Sequence, residues 1–282
     1  MTGASPVNAA SQRRADLARR LAQSCPPALA DEIALVGSTA RGLADDESDL
    51  ELNLWAEAIP PLDARLNWLR SAGASDLHVE PAPRPDRSYW IGCRIDGIAV
   101  EIGWQTLADA ERVLSASGER KAPVLADLLI SAIPLRTSGR LQAWQEALRA
   151  YSDEVQRAAI QAAVERWSPP DHLRAMRRLA RRGERLALTQ ALLDDLDLAL
   201  RLLYAVSRRW EPSRKWTLTI ARAFAPFDLD SRIDAILADP SLERRVDLCA
   251  RLCLDLLALV PPEYDVSAAA EALKAGESGQ EP

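Results

Sequence analysis

The stretch Asp49-Leu-Glu-Leu-Asn-Leu-Trp55 alternates polar and apolar residues, and it constrains this chain more than any other segment. A period of two belongs to a β-strand whose two faces meet different surroundings. Asp49 and Glu51 are two residues apart, so both carboxylates point to one face. Held side by side, they repel unless a positive charge lies between them. A divalent cation is the usual solution, and hard oxygen ligands suit Mg²⁺. Taken alone, the pair reads more simply as an exposed strand with its acids facing water.

A third acid shifts that balance. Glu101 lies inside the apolar run IAVEIGW, residues 98–104. A lone glutamate buried in such a strand is costly without a partner. A neighbouring strand carrying Asp49 and Glu51 around a metal would supply one. Three carboxylates on adjacent strands can hold two Mg²⁺ ions and leave one to accept a proton from an attacking hydroxyl. Upstream, residues 32–36 read as a strand that stops at Gly37-Ser38. Gly37 permits close backbone approach. Ser38, at a helix start, can offer its hydroxyl and backbone N–H groups to a phosphate.

The chain has 282 residues, enough for one large domain or two modest ones. Up to about residue 104, short β-type runs alternate with helical segments. Helices are expected at 9–24 and 62–72, and strands at 32–36, 49–55, 76–79, 89–95 and 98–104. Asp96-Gly97 between the last two strands is a strong hairpin signal. Beyond 104 the pattern is helical, near 106–117, 121–133, 140–151, 153–167, 171–182, 185–209, 213–225, 231–238, 241–259 and 264–274. The expected fold is an α/β (α+β) domain with a mixed sheet over 10–105, then an all-α domain over 120–260. Residues 1–9 and 275–282 read as disordered.

The net charge of −6 argues against broad nucleic-acid or membrane binding through bulk charge. The basic run RAMRRLARRGERL, residues 174–186, reads as a solvated helix face, with a phosphate- or RNA-binding role as the alternative. Glu184, Asp194, Asp195 and Asp197 read as surface partners for such cations. The cysteines form no CxxC pair, and Cys249 and Cys253, four apart on a helix face, read as small core residues. His78 and His172 lack metal-ligand spacing. No apolar run reaches the roughly 20 residues of a membrane span, and no leader is visible, so a soluble cytoplasmic protein is expected. Arg41 could face phosphates or pair with Asp45, Asp46 or Glu47. Trp104, three residues beyond Glu101, is a candidate wall of an acceptor pocket.

The segment Gly37-Ser38 … Ser48-Asp49-Leu-Glu51, with Glu101 later, resembles the signature of the nucleotidyltransferase superfamily that includes DNA polymerase β. Glu51 stands where Asp is commoner. The stretch Leu203 to Leu218, with RRWEPSRKW inside it, resembles a segment of antibiotic adenylyltransferases. Ser207 departs from the Asn frequent there. The resemblance implies Mg²⁺-dependent transfer of a nucleoside monophosphate, AMP from ATP, to a hydroxyl. Asp49, Glu51 and Glu101 would bind metal, with Glu101 as base. Gly37, Ser38, Arg41, Ser48 and Lys215 would hold the nucleotide. The implied acceptor is a small molecule such as an aminoglycoside-like or lincosamide-like antibiotic, with no membrane partner and nucleic acid disfavoured. A toxin–antitoxin type enzyme acting on protein or RNA, and a non-catalytic nucleotide sensor, are the alternatives.

Overall fold

The computed structural model describes residues 8–117 and 123–277. The chain divides into two compact units, one ending at Ala150 and the other beginning at Tyr151.

The first unit is built on a six-stranded mixed sheet of order β3-β4-β5-β2-β1-β6. Its strands are β1 (Glu32–Val36), β2 (Leu50–Ala56), β3 (Ser75–Val79), β4 (Tyr89–Ile95), β5 (Ile98–Thr106) and β6 (Ile133–Arg136). β2 and β5 run parallel; the other neighbours are antiparallel. The helices of this unit are α1 (Ala9–Ser24), the short α2 (Gly37–Ala40), α3 (Leu62–Ser71), α4 (Leu107–Ser117), α5 (Pro123–Ser131) and α6 (Arg140–Arg149).

The alternation in β2 has a direct structural counterpart. Leu50, Leu52 and Leu54 are fully buried, in one cluster with Leu17 and Leu21 of α1 and Trp68 and Leu69 of α3. Each such leucine contributes roughly 1.5–3 kcal/mol. The opposite face carries Glu51, Asn53 and Trp55. Trp55 packs edge-on against Trp144 of α6, with ring centroids 5.6 Å apart. One face of the sheet is therefore closed by α1 and α3, and the far end of the other by α6.

The parity of β5 corrects one expectation. Glu101 and Trp104 are an odd number of residues apart, so they lie on opposite faces. Trp104 is fully buried against Trp68, with ring centroids 6.0 Å apart, and it does not border the face that carries Glu101. On the Glu101 face, Gly103 has the Trp90 ring laid across it. A Cβ there would fall 2.7 Å from two ring carbons. Gly103→Ala should therefore cost about 1–3 kcal/mol through overpacking, read as a lowered thermal midpoint; an unchanged midpoint would mean that the ring tilts away freely.

β6 is the strand the sequence hid: four residues, one of them Pro134, in a region read as helical. Proline is tolerated because β6 lies outermost in the sheet. It pairs with β1, and Arg136 donates to the carbonyls of Ala22 (2.9 Å) and Cys25 (2.6 Å), where α1 ends. The division of the chain therefore falls at Ala150/Tyr151 and not near 104–120, because β6 and the helices around it belong to the sheet. The ends also differ from expectation. Asn8 caps α1 by accepting from Ser11 N at 2.7 Å, and the last helix runs to Glu277. The remaining residues of the expected disordered ends, 1–7 and 278–282, lie outside the described residues.

Glu32, on β1, is fully buried. Its carboxylate accepts from Ser138 N (2.7 Å), Ser138 Oγ (2.5 Å) and Leu141 N (3.3 Å), capping the start of α6. Burial alone would raise its pKa, but these bonds and one from Thr137 outweigh it and hold the carboxyl below its usual range. A group depressed in the folded state stabilises above its unfolded pKa and loses that contribution as pH falls through the folded value. Glu32→Gln should lower stability near neutrality and flatten the fall in thermal midpoint below about pH 4. An acid limb identical to that of the wild type would refute this.

In the second unit the described residues form helices α7 (Asp153–Trp167), α8 (Asp171–Arg181), α9 (Arg185–Val206), α10 (Arg214–Ala221), α11 (Leu229–Ala238), α12 (Leu242–Leu257) and α13 (Ser267–Glu277). α9 is 22 residues long and lends Leu188, Leu192, Leu196, Ala199, Leu202 and Leu203 to the core. Cys249 and Cys253 are both buried in that core, as read. Asp195 is not at the surface. It is 2% exposed and bonded to Arg166 Nε (2.9 Å) and His172 Nε2 (2.8 Å). A buried carboxylate needs such partners, so His172 is structural.

Candidate metal centre

The antiparallel register of β1 and β2 sets Val36 opposite Glu51. The chain leaves β1 immediately after Val36, so the turn at Gly37 falls beside the Glu51 side chain. Gly37 has φ +68°, and a Cβ on it would sit 1.7 Å from Glu51 Oε2. Only glycine fits both demands. The parallel register of β2 and β5 then sets Glu51 opposite Glu101. On the other side of Glu101, β4 presents Gly92, which adds no side chain to the face.

Asp49, Glu51 and Glu101 each offer a carboxylate oxygen, and the three atoms lie within 4.8 Å of one another on half-buried side chains. Like charges directly across a ladder are destabilising. The donor set is all hard oxygen, and the group could hold a metal ion of the Mg²⁺ type. At the Gly37 turn the Glu51 carboxylate lies where a Cβ would be, so the missing side chain is what lets this ligand candidate pack against the turn. The residues fit a divalent cation.

The other expected residues are placed as follows. Ser38 is buried in α2, one residue beyond Gly37. Ser48 accepts from Asp45 N (3.0 Å) and donates to Asp45 Oδ1 (2.7 Å), so its hydroxyl closes the loop before β2. Its carbonyl accepts from Arg14 Nε at 2.8 Å. Arg41 pairs with Asp127 of α5, and not with Asp45, Asp46 or Glu47. Burial pushes the Asp127 carboxyl up, against the lowering pull of Arg41. Lys215 is exposed in the first turn of α10, in the second unit, with Nζ 5.8 Å from the Trp216 ring centroid.

Two features of this face were missed from sequence. Arg84, in the loop between β3 and β4, binds Glu80 through Nε and Nη2 at 2.5–3.2 Å. Its guanidinium also stacks on Trp90, 4.1 Å from the ring centroid. Bonding to Glu80 chiefly raises its pKa, burial opposes this, and the fields of Glu80, Glu101 and Asp86 add to the rise. A cation is thus tied down within electrostatic reach of the triad. The i, i+4 pairing of Glu80 with Arg84 was the available signal. The second feature is a cleft farther along the triad's face, lined by Asn53, Trp55, Ser88, Trp90 and Gln105. Asn53 Oδ1 is buried there without a hydrogen-bond partner among the described residues.

Comparison with known proteins gives little beyond this geometry. A family described as a domain of unknown function, DUF4037, matches residues 121–217. No curated protein sequence matches the chain. Among solved structures, a nucleotidyltransferase-like protein from Exiguobacterium sibiricum 255-15 is similar at 15% identity. That match covers 96% of this chain and 81% of the other, with a TM-score of 0.42. Among the described residues, no helix is long and apolar enough to cross a membrane.

Proposed function

We propose that the protein is a Mg²⁺-dependent nucleotidyltransferase that moves a nucleoside monophosphate, AMP from ATP, to the hydroxyl of a small-molecule acceptor and releases pyrophosphate. The observation that carries this reading is the register of three strands: Glu51 lies beside the Gly37 turn and opposite Glu101, with Asp49 within reach of both.

Each residue then has a role. Asp49, Glu51 and Glu101 would hold a pair of Mg²⁺ ions, which neutralise charge on the phosphoryl oxygens and the leaving group. Glu101 accepts the proton of the attacking acceptor hydroxyl. The Gly37-Ser38 turn gives the triphosphate a close backbone approach, and the absence of a Cβ on Gly37 lets the Glu51 carboxylate lie against the turn. Arg41, held by Asp127, adds positive charge near that turn. Ser48 fixes the loop that delivers Asp49. Reaction is in line at the α-phosphate, so catalysis lies mainly in positioning and charge stabilisation.

The test is incubation with α-labelled ATP, Mg²⁺ and an acceptor panel that includes aminoglycosides and lincosamides, followed by separation of labelled products. Transfer with equimolar pyrophosphate release, abolished by a chelator, supports the proposal. ATP binding without transfer to any acceptor would favour a nucleotide sensor.

A further inference from the structure

α8 is sharply two-sided. Leu173, Met176 and Ala180 are buried, while Arg174, Arg178 and Arg181 are exposed at i, i+4 and i+7. Those three arginines form one stripe about 10 Å long. The helix closes on Arg182 and Gly183 (φ +72°), with Glu184 N donating to Leu179 O at 3.0 Å. Arg185 then opens α9. Arg182 and Arg185 are exposed at this corner, beside Leu186, which is 74% exposed.

These cations differ from most arginines of the chain. Arg177, on the flank of the same helix, pairs with Asp247 at 2.5 Å, and Arg174 lies 3.6 Å from Asp171. Among the described residues, no carboxylate pairs with Arg178, Arg181, Arg182 or Arg185. Residues 174–186 hold six arginines against one glutamate, in a chain of net charge −6. Net charge therefore does not report this corner. Crowded like charges repel and cost stability unless an anion answers them.

The chemistry selects among anions. A guanidinium fork matches two oxygens of a phosphate. Successive rows of the stripe lie about one helical turn apart, which suits a partner with regularly repeated charge. Residues 174–186 contain no aromatic ring on which a base could stack, so contact would be to backbone and not to bases. One exposed leucine is too little apolar surface for insertion into a lipid interface. We propose that the corner formed by α8 and the start of α9 binds the phosphate backbone of a nucleic acid, without reading its sequence. The site is independent of the acidic triad and of the transfer reaction proposed for it.

The test uses the full chain and fluorescence anisotropy with a labelled uridine oligonucleotide of about 20 nucleotides, over a salt series. The wild type should bind, and log K should fall linearly with log salt. R178Q/R181Q/R182Q/R185Q should lose at least about ten-fold in affinity, and its salt slope should shrink by about 0.7 per guanidinium removed. Its circular dichroism should stay unchanged and its thermal midpoint should not fall, because all four side chains are exposed and their mutual repulsion is relieved. The variant R178K/R181K/R182K/R185K keeps the charge and should retain most of the binding. E101Q should bind as the wild type does, which separates this site from the triad. The proposal is overturned if the wild type does not bind at low salt, if the glutamine variant binds equally well, or if phosphatidylserine vesicles are bound and the oligonucleotide is not.

Discussion

Glu101→Gln should lower nucleotidyl transfer by about 10²–10⁴-fold, the range expected for loss of a positioned general base. The substitution keeps side-chain length and shape but removes the charge and the proton-accepting oxygen. Glu101 stands directly across the parallel ladder from Glu51, so the same change removes one of the three carboxylates proposed to hold the metal. Two readouts separate these effects. Calorimetric titration with Mn²⁺ reports the ligand role and should show weakened binding. The pH dependence of kcat reports the base and should lose its acidic limb. ATP binding, for which the Gly37 turn is proposed as well, should fall far less than turnover. Unchanged turnover would remove Glu101 as the base, and normal Mn²⁺ affinity would remove it as a ligand.

Gly37→Ala is the second large effect. The left-handed backbone at Gly37 costs a residue with a side chain roughly 1–2 kcal/mol. The added methyl would also sit 1.7 Å from Glu51 Oε2. That atom ends a flexible side chain, so the fold can survive by letting the carboxylate swing away. The thermal midpoint should drop by only a few degrees, while metal affinity and transfer fall by at least about ten-fold. Gly42→Ala is the matched control. Its φ of +72° imposes a similar backbone cost, but nothing lies within 4 Å of the added Cβ. It should lose similar stability and keep its activity. Equal activity loss in the two variants would mean that the close approach to Glu51 plays no part.

What could be read from the sequence divides by distance along the chain. The metal-ligand candidates were legible because strand parity is local. Asp49 and Glu51 share a face by spacing alone, and Gly37 announced a turn. Trp104 was misplaced by the same rule, since three residues along a strand reverse the face. Features that depend on remote partners stayed hidden. Arg41 finds Asp127, 86 residues away. Asp195 looked like one more surface acid until His172 and Arg166 closed around it. Four residues with a proline gave no strand signal at β6, although β1 supplies its hydrogen bonds.

β6 also sets where this chain can be divided. A fragment ending near residue 105 would keep the acidic triad and every strand that carries it. It would also lose the Arg136 contacts that finish α1 and the Ser138 and Leu141 donors that answer buried Glu32. β1, an interior strand with every residue buried, would become a bare sheet edge, an open template for pairing with another copy. Such a fragment should aggregate. The smallest soluble piece that retains the triad is expected to extend to about residue 150.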